Sequence, residues 1–161
     1  MGKSSHPSSS DEQQYAEPRL IKRLENQLKK ELKAEVKLVP SRPLPDSLIK
    51  LDGYSEKHRI MCEVWSHQQA LPKSGQTHKV MSDALKMLFI EKRLRKKFRK
   101  ILVFADEKVA KQFRRDSNKW EAKCLKTFGI ECRIIEPRPD MKNRIMNAQQ
   151  RQAASLRGSP T

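Results

Sequence analysis

The chain has 161 residues, which is enough for one domain with flexible ends. Its 35 Lys and Arg against 19 Asp and Glu give a formal net charge of +16, so a polyanionic partner is expected: nucleic acid, with an anionic membrane surface as the alternative. No apolar run approaches the roughly 20 residues of a membrane span, the N-terminus lacks the apolar core of a signal peptide, and the three cysteines have no paired spacing. These absences predict a soluble cytoplasmic protein without a membrane partner.

The first part of the chain predicts a leader, a helix and a strand. Residues 1–16 are rich in Ser and polar residues without periodicity, which is typical of a disordered leader. In residues 17–33, apolar residues recur every three or four positions, which predicts an amphipathic helix. Residues 34–39 alternate apolar and charged side chains and predict a short strand, ended by a proline-rich turn with Pro40, Pro43 and Pro45.

Two acids lie in the next two strand-like runs. Residues 48–54 and 59–65 predict an antiparallel hairpin, with Asp52 near the end of the first run and Glu63 inside the second. Because side chains alternate along a strand, Glu63 shares a face with Trp65. Each acid also has an interpretation without a metal ion. Asp52 with Gly53 is a common turn pair, and Glu63 suits a solvent-exposed sheet face equally well.

A basic helix and two more strands complete the predicted domain, which covers residues 17–136. Residues 77–99 show a helical apolar stripe, residues 101–105 (ILVFA) predict a strand buried on both faces, residues 107–127 a helical region, and residues 130–135 a last strand. Residues 137–161 predict a basic, flexible, partly helical tail. The basic end of the long helix is the predicted phosphate-binding surface, with a plain solvated helix end as the alternative. Its residues are Arg93, Arg95, Lys96, Lys97, Arg99 and Lys100.

These elements predict an α/β fold with one mixed sheet of about five strands flanked by helices, in the order α-β-β-β-α-β-α-β. This order, with Asp52 and Glu63 on successive strands, resembles the PD-(D/E)xK, or restriction-endonuclease-like, nuclease superfamily. The resemblance covers about residues 17–136. It implies that Asp52 and Glu63 bind Mg²⁺, with Mn²⁺ as a substitute, for phosphodiester hydrolysis. The sequence departs from the pattern at Trp65, where the superfamily has a catalytic Lys.

A displaced lysine would complete such a site, and the candidates are Lys79 and Lys86 in the following helix. His67 and Gln69 are candidates for orienting water or phosphate. A zinc site from His67, His78 and Asp83 is the weaker alternative, because their spacing matches no standard ligand pattern.

Three functions follow from this interpretation. The first is a Mg²⁺-dependent nuclease acting on DNA rather than RNA. The second is a catalytically inactive protein of nuclease-like fold that binds DNA or RNA, which the missing Lys at Trp65 favours. The third is a basic accessory protein that binds an acidic protein partner. The sequence carries no signature of oligomeric state.

Overall fold

The structure, a computed structural model, describes residues 11–38, 49–68 and 74–157. Within these ranges, five strands form one mixed sheet in the order β1-β2-β3-β4-β5, flanked by five helices, which confirms the predicted fold class. The strands are β1 (Lys33–Leu38), β2 (Ile49–Ser55), β3 (Ile60–Trp65), β4 (Arg99–Phe104) and β5 (Ile130–Ile134). The helices are α1 (Asp11–Leu28), α2 (Ser74–Leu94), α3 (Glu107–Ala110), α4 (Trp120–Thr127) and α5 (Pro139–Arg157). Residues 1–10, the predicted proline turn and the candidate site residue Gln69 lie outside the described ranges.

The sheet combines an antiparallel meander with two parallel strands. β1 pairs with β2 and β2 with β3 in antiparallel fashion, whereas β4 joins β3 and β5 joins β4 in parallel. β4 lies inside the sheet and is buried along nearly its whole length, as its unbroken apolar run predicts. Asp106 follows β4 and caps α3 by accepting hydrogen bonds from the backbone N–H groups of Lys108 and Val109.

Each face of the sheet is covered by its own helix. On one face, α2 packs Val80, Ala84 and Met87 into a core with Met61 and Trp65 of β3. On the other face, α1 forms a second core with the alternate residues of the same strand. These α1-side residues include Leu20, Ile21 and Leu24 of the helix and Ile60, Cys62 and Val64 of β3. The alternation of side chains in β3 therefore separates the two layers and puts Glu63 on the α2 side.

One helix prediction is wrong, and another predicted helical region is divided in two. The long helix ends at Leu94 rather than near residue 99, because Arg95 adopts a left-handed conformation (φ 52°) that terminates it. Phe98 then turns into the core, where its ring stacks on Tyr54 with centroids 5.8 Å apart. The helical region predicted over residues 107–127 is two separate helices, and Trp120, which fits the helical spacing, is 63% exposed.

The two ends of the described chain pack together. α1 begins at Asp11, inside the predicted leader, so Pro18 lies in the helix interior rather than in its first turn. The segment predicted as a basic tail contains α5, whose Met141 and Ile145 are buried against Ala16 of α1. The few apolar residues of α5 could not form a core within the helix itself, but they are buried because α1 packs against them. None of the helices in the described ranges is both long and apolar enough to cross a membrane.

Gly53 allows α1 to approach β2 closely, which yields a stability prediction. A Cβ at Gly53 would lie 2.7 Å from Cδ1 of Ile21 and 3.2 Å from Cβ of Cys62. We expect Gly53→Ala to lower the free energy of unfolding by about 1–3 kcal/mol through overpacking. Urea denaturation measures the change, and Gly75→Ala, whose Cβ would meet nothing within 4 Å, is the matched control. Ile21→Val should recover part of the loss; equal stabilities for the two glycine variants would contradict the close approach.

Candidate functional site

Asp52 and Glu63 lie opposite each other on the central hairpin. The β2–β3 register pairs Gly53 with Cys62, and continuing it by one residue puts Asp52 across from Glu63. Oδ2 of Asp52 accepts a hydrogen bond from the backbone N–H of Val64 at 2.9 Å. Directly opposite residues in an antiparallel pair point to the same face, so both carboxylates lie on the α2 side. Asp52 is inside a strand, so its interpretation as a turn residue is wrong. Glu63 is 3% exposed, so its interpretation as a solvent-exposed acid is wrong as well.

Lys86 of α2 supplies an ammonium group to these acids. Its Nζ lies 2.7 Å from Oε1 of Glu63 and 3.3 Å from Oδ1 of Asp83, one helical turn earlier. The lysine side chain is 27% exposed, whereas that of Glu63 is 4% exposed, so the ion pair lies at the edge of the buried layer. Of the two lysines considered for a displaced catalytic Lys, Lys86 is the one that contacts a predicted metal ligand.

Carboxyl groups outnumber ammonium groups in this cluster. Burial, reinforced by the charges of Asp52 and Asp83, raises the pKa of Glu63 to about 9, although Lys86 opposes the shift. Burial also raises the pKa of Asp83. Burial alone would lower the pKa of Lys86, but the carboxylates of Glu63 and Asp83 outweigh it and raise that pKa. Three carboxyl groups around one lysine therefore favour an additional cation or proton.

Trp65, His67 and Lys79 form a second group next to the acids. Trp65 is 5% exposed and packs in the α2-side core, so it is a packing residue. The His67 ring stacks on Trp65 with centroids 4.4 Å apart, and Nζ of Lys79 lies 5.6 Å from the Trp65 ring centroid. Burial, with the charge of Lys79, lowers the pKa of His67 to about 4, so its imidazole is neutral at pH 7.

The donor set of the cluster suits Mg²⁺ better than zinc. In the described part of the chain, no three His, Cys, Asp or Glu side chains are grouped closely enough to hold a metal ion by themselves. Mg²⁺ commonly binds one or two carboxylates and completes its shell with water and substrate phosphate, which matches Asp52 and Glu63. The raised pKa of Glu63 is consistent with a carboxylate that gains from a cation beside it.

The predicted phosphate-binding cluster is extensively paired with acids of the chain. Lys96 is ion-paired with Glu56, and Lys97 lies 3.7 Å from Glu91. The guanidinium of Arg99 donates two hydrogen bonds, of 2.8 and 3.0 Å, to the Glu131 carboxylate.

Lys100, predicted to contact phosphate, is 5% exposed and ion-paired with Glu91 at 2.8 Å, so a phosphate has little access to its ammonium. Arg93 and Arg95 lie at the end of α2, and Arg95 is exposed. The interpretation of the cluster as one uniform helix end is wrong, since it spans the helix end, a loop and the start of β4.

Asp83 is the residue of this site that the sequence interpretation placed elsewhere, in a weakly supported zinc alternative. Asp83 lies three residues before Lys86, so the two side chains share one face of a helix, and this proximity is predictable from the sequence. What the spacing does not reveal is that this face of α2 meets Glu63.

Comparisons with known proteins give no match. No protein-family model matches the chain, and neither the curated proteins nor the solved structures that were searched contain a similar one. The resemblance to the restriction-endonuclease-like superfamily therefore stays a prediction, and the arrangement of Asp52, Glu63 and Lys86 is the observation from which a function can be proposed.

Proposed function

We propose that the protein binds nucleic acid and is a Mg²⁺-dependent nuclease of restriction-endonuclease-like type that hydrolyses phosphodiester bonds in DNA. The observation that carries this proposal is the contact of Lys86 with Glu63, opposite Asp52. The ammonium of Lys86 supplies from α2 the charge that the superfamily pattern takes from β3, where Trp65 stands. The element order and the +16 charge support the same proposal.

The residues of the cluster have separable roles in this reaction. Bound Mg²⁺ would polarise the scissile phosphate and lower the pKa of a water molecule, with Asp52 and Glu63 as its protein ligands. Lys86, whose pKa is raised, stays protonated at neutral pH and therefore stabilises the charge that develops on the phosphate rather than accepting a proton. Asp83 orients Lys86 through their 3.3 Å contact. Neutral His67 is suited to accept a hydrogen bond from water.

A second candidate is a nuclease-like protein that binds DNA or RNA without cleaving it. The observation that favours it is the 2.7 Å contact between the Lys86 ammonium and Glu63, because this contact occupies the carboxyl group without a metal ion. The two candidates share the nucleic-acid partner and differ in whether Mg²⁺ displaces that ammonium from the carboxylate.

Cleavage assays separate the two candidates. Plasmid, linear duplex, single-stranded DNA and RNA are incubated with the protein in millimolar Mg²⁺ or Mn²⁺, with Ca²⁺ and EDTA as controls. We expect cleavage of DNA by the wild type and none above background by Asp52→Asn or Glu63→Gln. Lys86→Met should lower the rate about 10²–10³-fold, the cost typical of removing one group that stabilises transition-state charge. Glu107→Gln, which changes an exposed carboxylate at the start of α3, is the matched control and should leave the rate unchanged.

Each outcome of these assays supports one of the two candidates or removes support for the site. Binding of DNA by the wild type without cleavage in any metal supports the inactive binding protein. Equal cleavage by the wild type and both acid variants would indicate a contaminating nuclease and remove support for the site.

We also propose a cytoplasmic location. Cys62, Cys124 and Cys132 are all unpaired thiols, and a reducing compartment keeps thiols in that state.

A further inference from the structure

A second group of cations lies away from the acids, in a cleft between α1 and α5. Its lining contains one carboxylate, that of Asp140, and the ring of Tyr15. The cations in the lining are Arg19, Lys22, Arg23, Arg138 and Arg144. Neither helix carries this concentration alone: the packing of Met141 and Ile145 against Ala16 brings the two sets of arginines together.

Three of the four cleft arginines contact neutral groups rather than acids. The Arg19 guanidinium donates a 2.8 Å hydrogen bond to the Tyr15 carbonyl and lies 3.2 Å from the centroid of the Tyr15 ring. Arg144 approaches the same ring at 5.8 Å, and Arg23 donates to the carbonyl oxygen of Glu136. These contacts fix the guanidinium groups in place and leave their charges unneutralised.

Pairing with carboxylates distinguishes this cleft from the basic cluster of residues 93–100. Over the described ranges, the ion pairs within 4.0 Å include none made by the cleft arginines 19, 23, 138 and 144. In the cluster, by contrast, four of the six cations are paired with carboxylates, namely Lys96, Lys97, Arg99 and Lys100, whereas Arg93 and Arg95 are in none of these ion pairs. Bringing four guanidinium groups together beside one carboxylate costs repulsion that an anionic ligand would relieve, so the cleft is the better anion site.

α5 also contacts the chain just beyond the end of β3. Gln149 donates to the backbone carbonyl of Gln68 at 3.1 Å and accepts from the Gln68 N–H at 2.9 Å, just beyond the end of β3. Asp140 in the cleft precedes Gln149 by nine residues, or about 13 Å of helix. An extended polyanion seated in the cleft and following α5 would therefore reach the segment that follows β3, next to His67.

We infer that the α1/α5 cleft binds the backbone phosphates of nucleic acid and is the principal phosphate-binding surface of this protein. Planar guanidinium groups match phosphate oxygens in pairs, and several converging arginines fit a repeated anion such as a phosphodiester chain. The inference rests on the proposed nucleic-acid binding and moves its main contact from residues 93–100 to the cleft.

A comparison of two charge-matched variants tests the inference. The cleft variant carries Arg19→Gln, Arg23→Gln, Arg138→Gln and Arg144→Gln; the cluster variant carries Arg93→Gln, Arg95→Gln, Lys96→Gln and Lys97→Gln. Fluorescence anisotropy with labelled single-stranded and duplex DNA, in EDTA to prevent cleavage, gives the Kd across a salt series. Both variants lose four positive charges, so the long-range attraction falls equally, and any difference reports local contact.

We expect the cleft variant to bind at least 10-fold more weakly than the cluster variant, and its salt slope to fall by about 3 relative to wild type. Circular dichroism checks folding, and Arg144→Gln alone, which keeps the remaining contacts, should weaken binding more than Arg93→Gln alone. Equal Kd values for the two quadruple variants, or weaker binding by the cluster variant, would overturn the inference while leaving nucleic-acid binding intact. Absence of DNA binding by the wild type at low salt would overturn the proposed function as well.

A membrane partner is a separate outcome of the same design. Vesicles of phosphatidylserine and phosphatidylcholine are offered to the wild type and the cleft variant. Binding to vesicles that the cleft variant loses, with DNA binding unchanged between the two proteins, would assign the cleft to a lipid surface and overturn the inference.

Discussion

Lys86→Met is expected to lower the free energy of unfolding by about 2–4 kcal/mol at pH 9. The substitution removes the ammonium that lies 2.7 Å from Glu63 and 3.3 Å from Asp83, and leaves carboxylates in a buried position without their counter-charge. The expected value lies below that for a fully buried pair because the Lys86 side chain is 27% exposed. At pH 6 the loss should be smaller, since Glu63, with its pKa of about 9, is then protonated. Urea denaturation at the two pH values measures the difference.

Two further variants test whether the loss comes from the ion pair. Lys79→Met removes a lysine from the same helix, whose Nζ lies 5.6 Å from the Trp65 ring centroid, and should change stability by no more than about 0.5 kcal/mol. Adding Glu63→Gln to Lys86→Met should restore part of the lost stability, with a coupling of about 1–3 kcal/mol. Losses that are equal at pH 6 and 9, or additive in the double variant, would mean that Lys86 acts through packing alone.

The stability of the metal-free protein is expected to fall by about 2 kcal/mol between pH 7 and pH 9. Burial and the charges of Asp52 and Asp83 raise the pKa of Glu63 from its ordinary value of 4.5 to about 9. The folded protein therefore binds more protons than the unfolded chain throughout that interval, and stability decreases as pH rises. Below about pH 6.5 the lowered pKa of His67 acts in the opposite direction, so the measurement is confined to higher pH.

Thermal and urea denaturation in EDTA, with Glu63→Gln as the comparison, measure this dependence. The Gln variant should lose most of the slope, because its amide does not titrate. Adding Mg²⁺ should raise the stability of the wild type more at pH 9 than at pH 7, since a cation beside Glu63 takes the place of the proton. A wild-type slope that Glu63→Gln leaves unchanged would mean that another group is responsible, and a flat profile would contradict the raised pKa.

Local patterning predicted the parts of the fold that depend on neighbouring residues in the chain. The apolar run of β4 and the alternation in β3 predicted a buried strand and a two-faced strand, because side-chain periodicity and strand burial are linked. The left-handed Arg95 was not predictable in the same way, since glycine or asparagine usually takes that position. The docking of α5 was also not predicted, because Met141 and Ile145 are buried through contact with Ala16 of α1, which is far away in the sequence.

The candidate site, like the fold, was predicted from the sequence only in part. The sequence by itself determined that Asp52 and Glu63 stand on neighbouring strands of a hairpin, because a short turn and side-chain alternation settle both the pairing and the face. Only the tertiary structure decided between Lys79 and Lys86, added Asp83, and paired the basic cluster with acids distant in the chain. Those contacts depend on where α2 crosses the sheet and on the order of the strands, and packing between elements, rather than any local pattern, sets those positions.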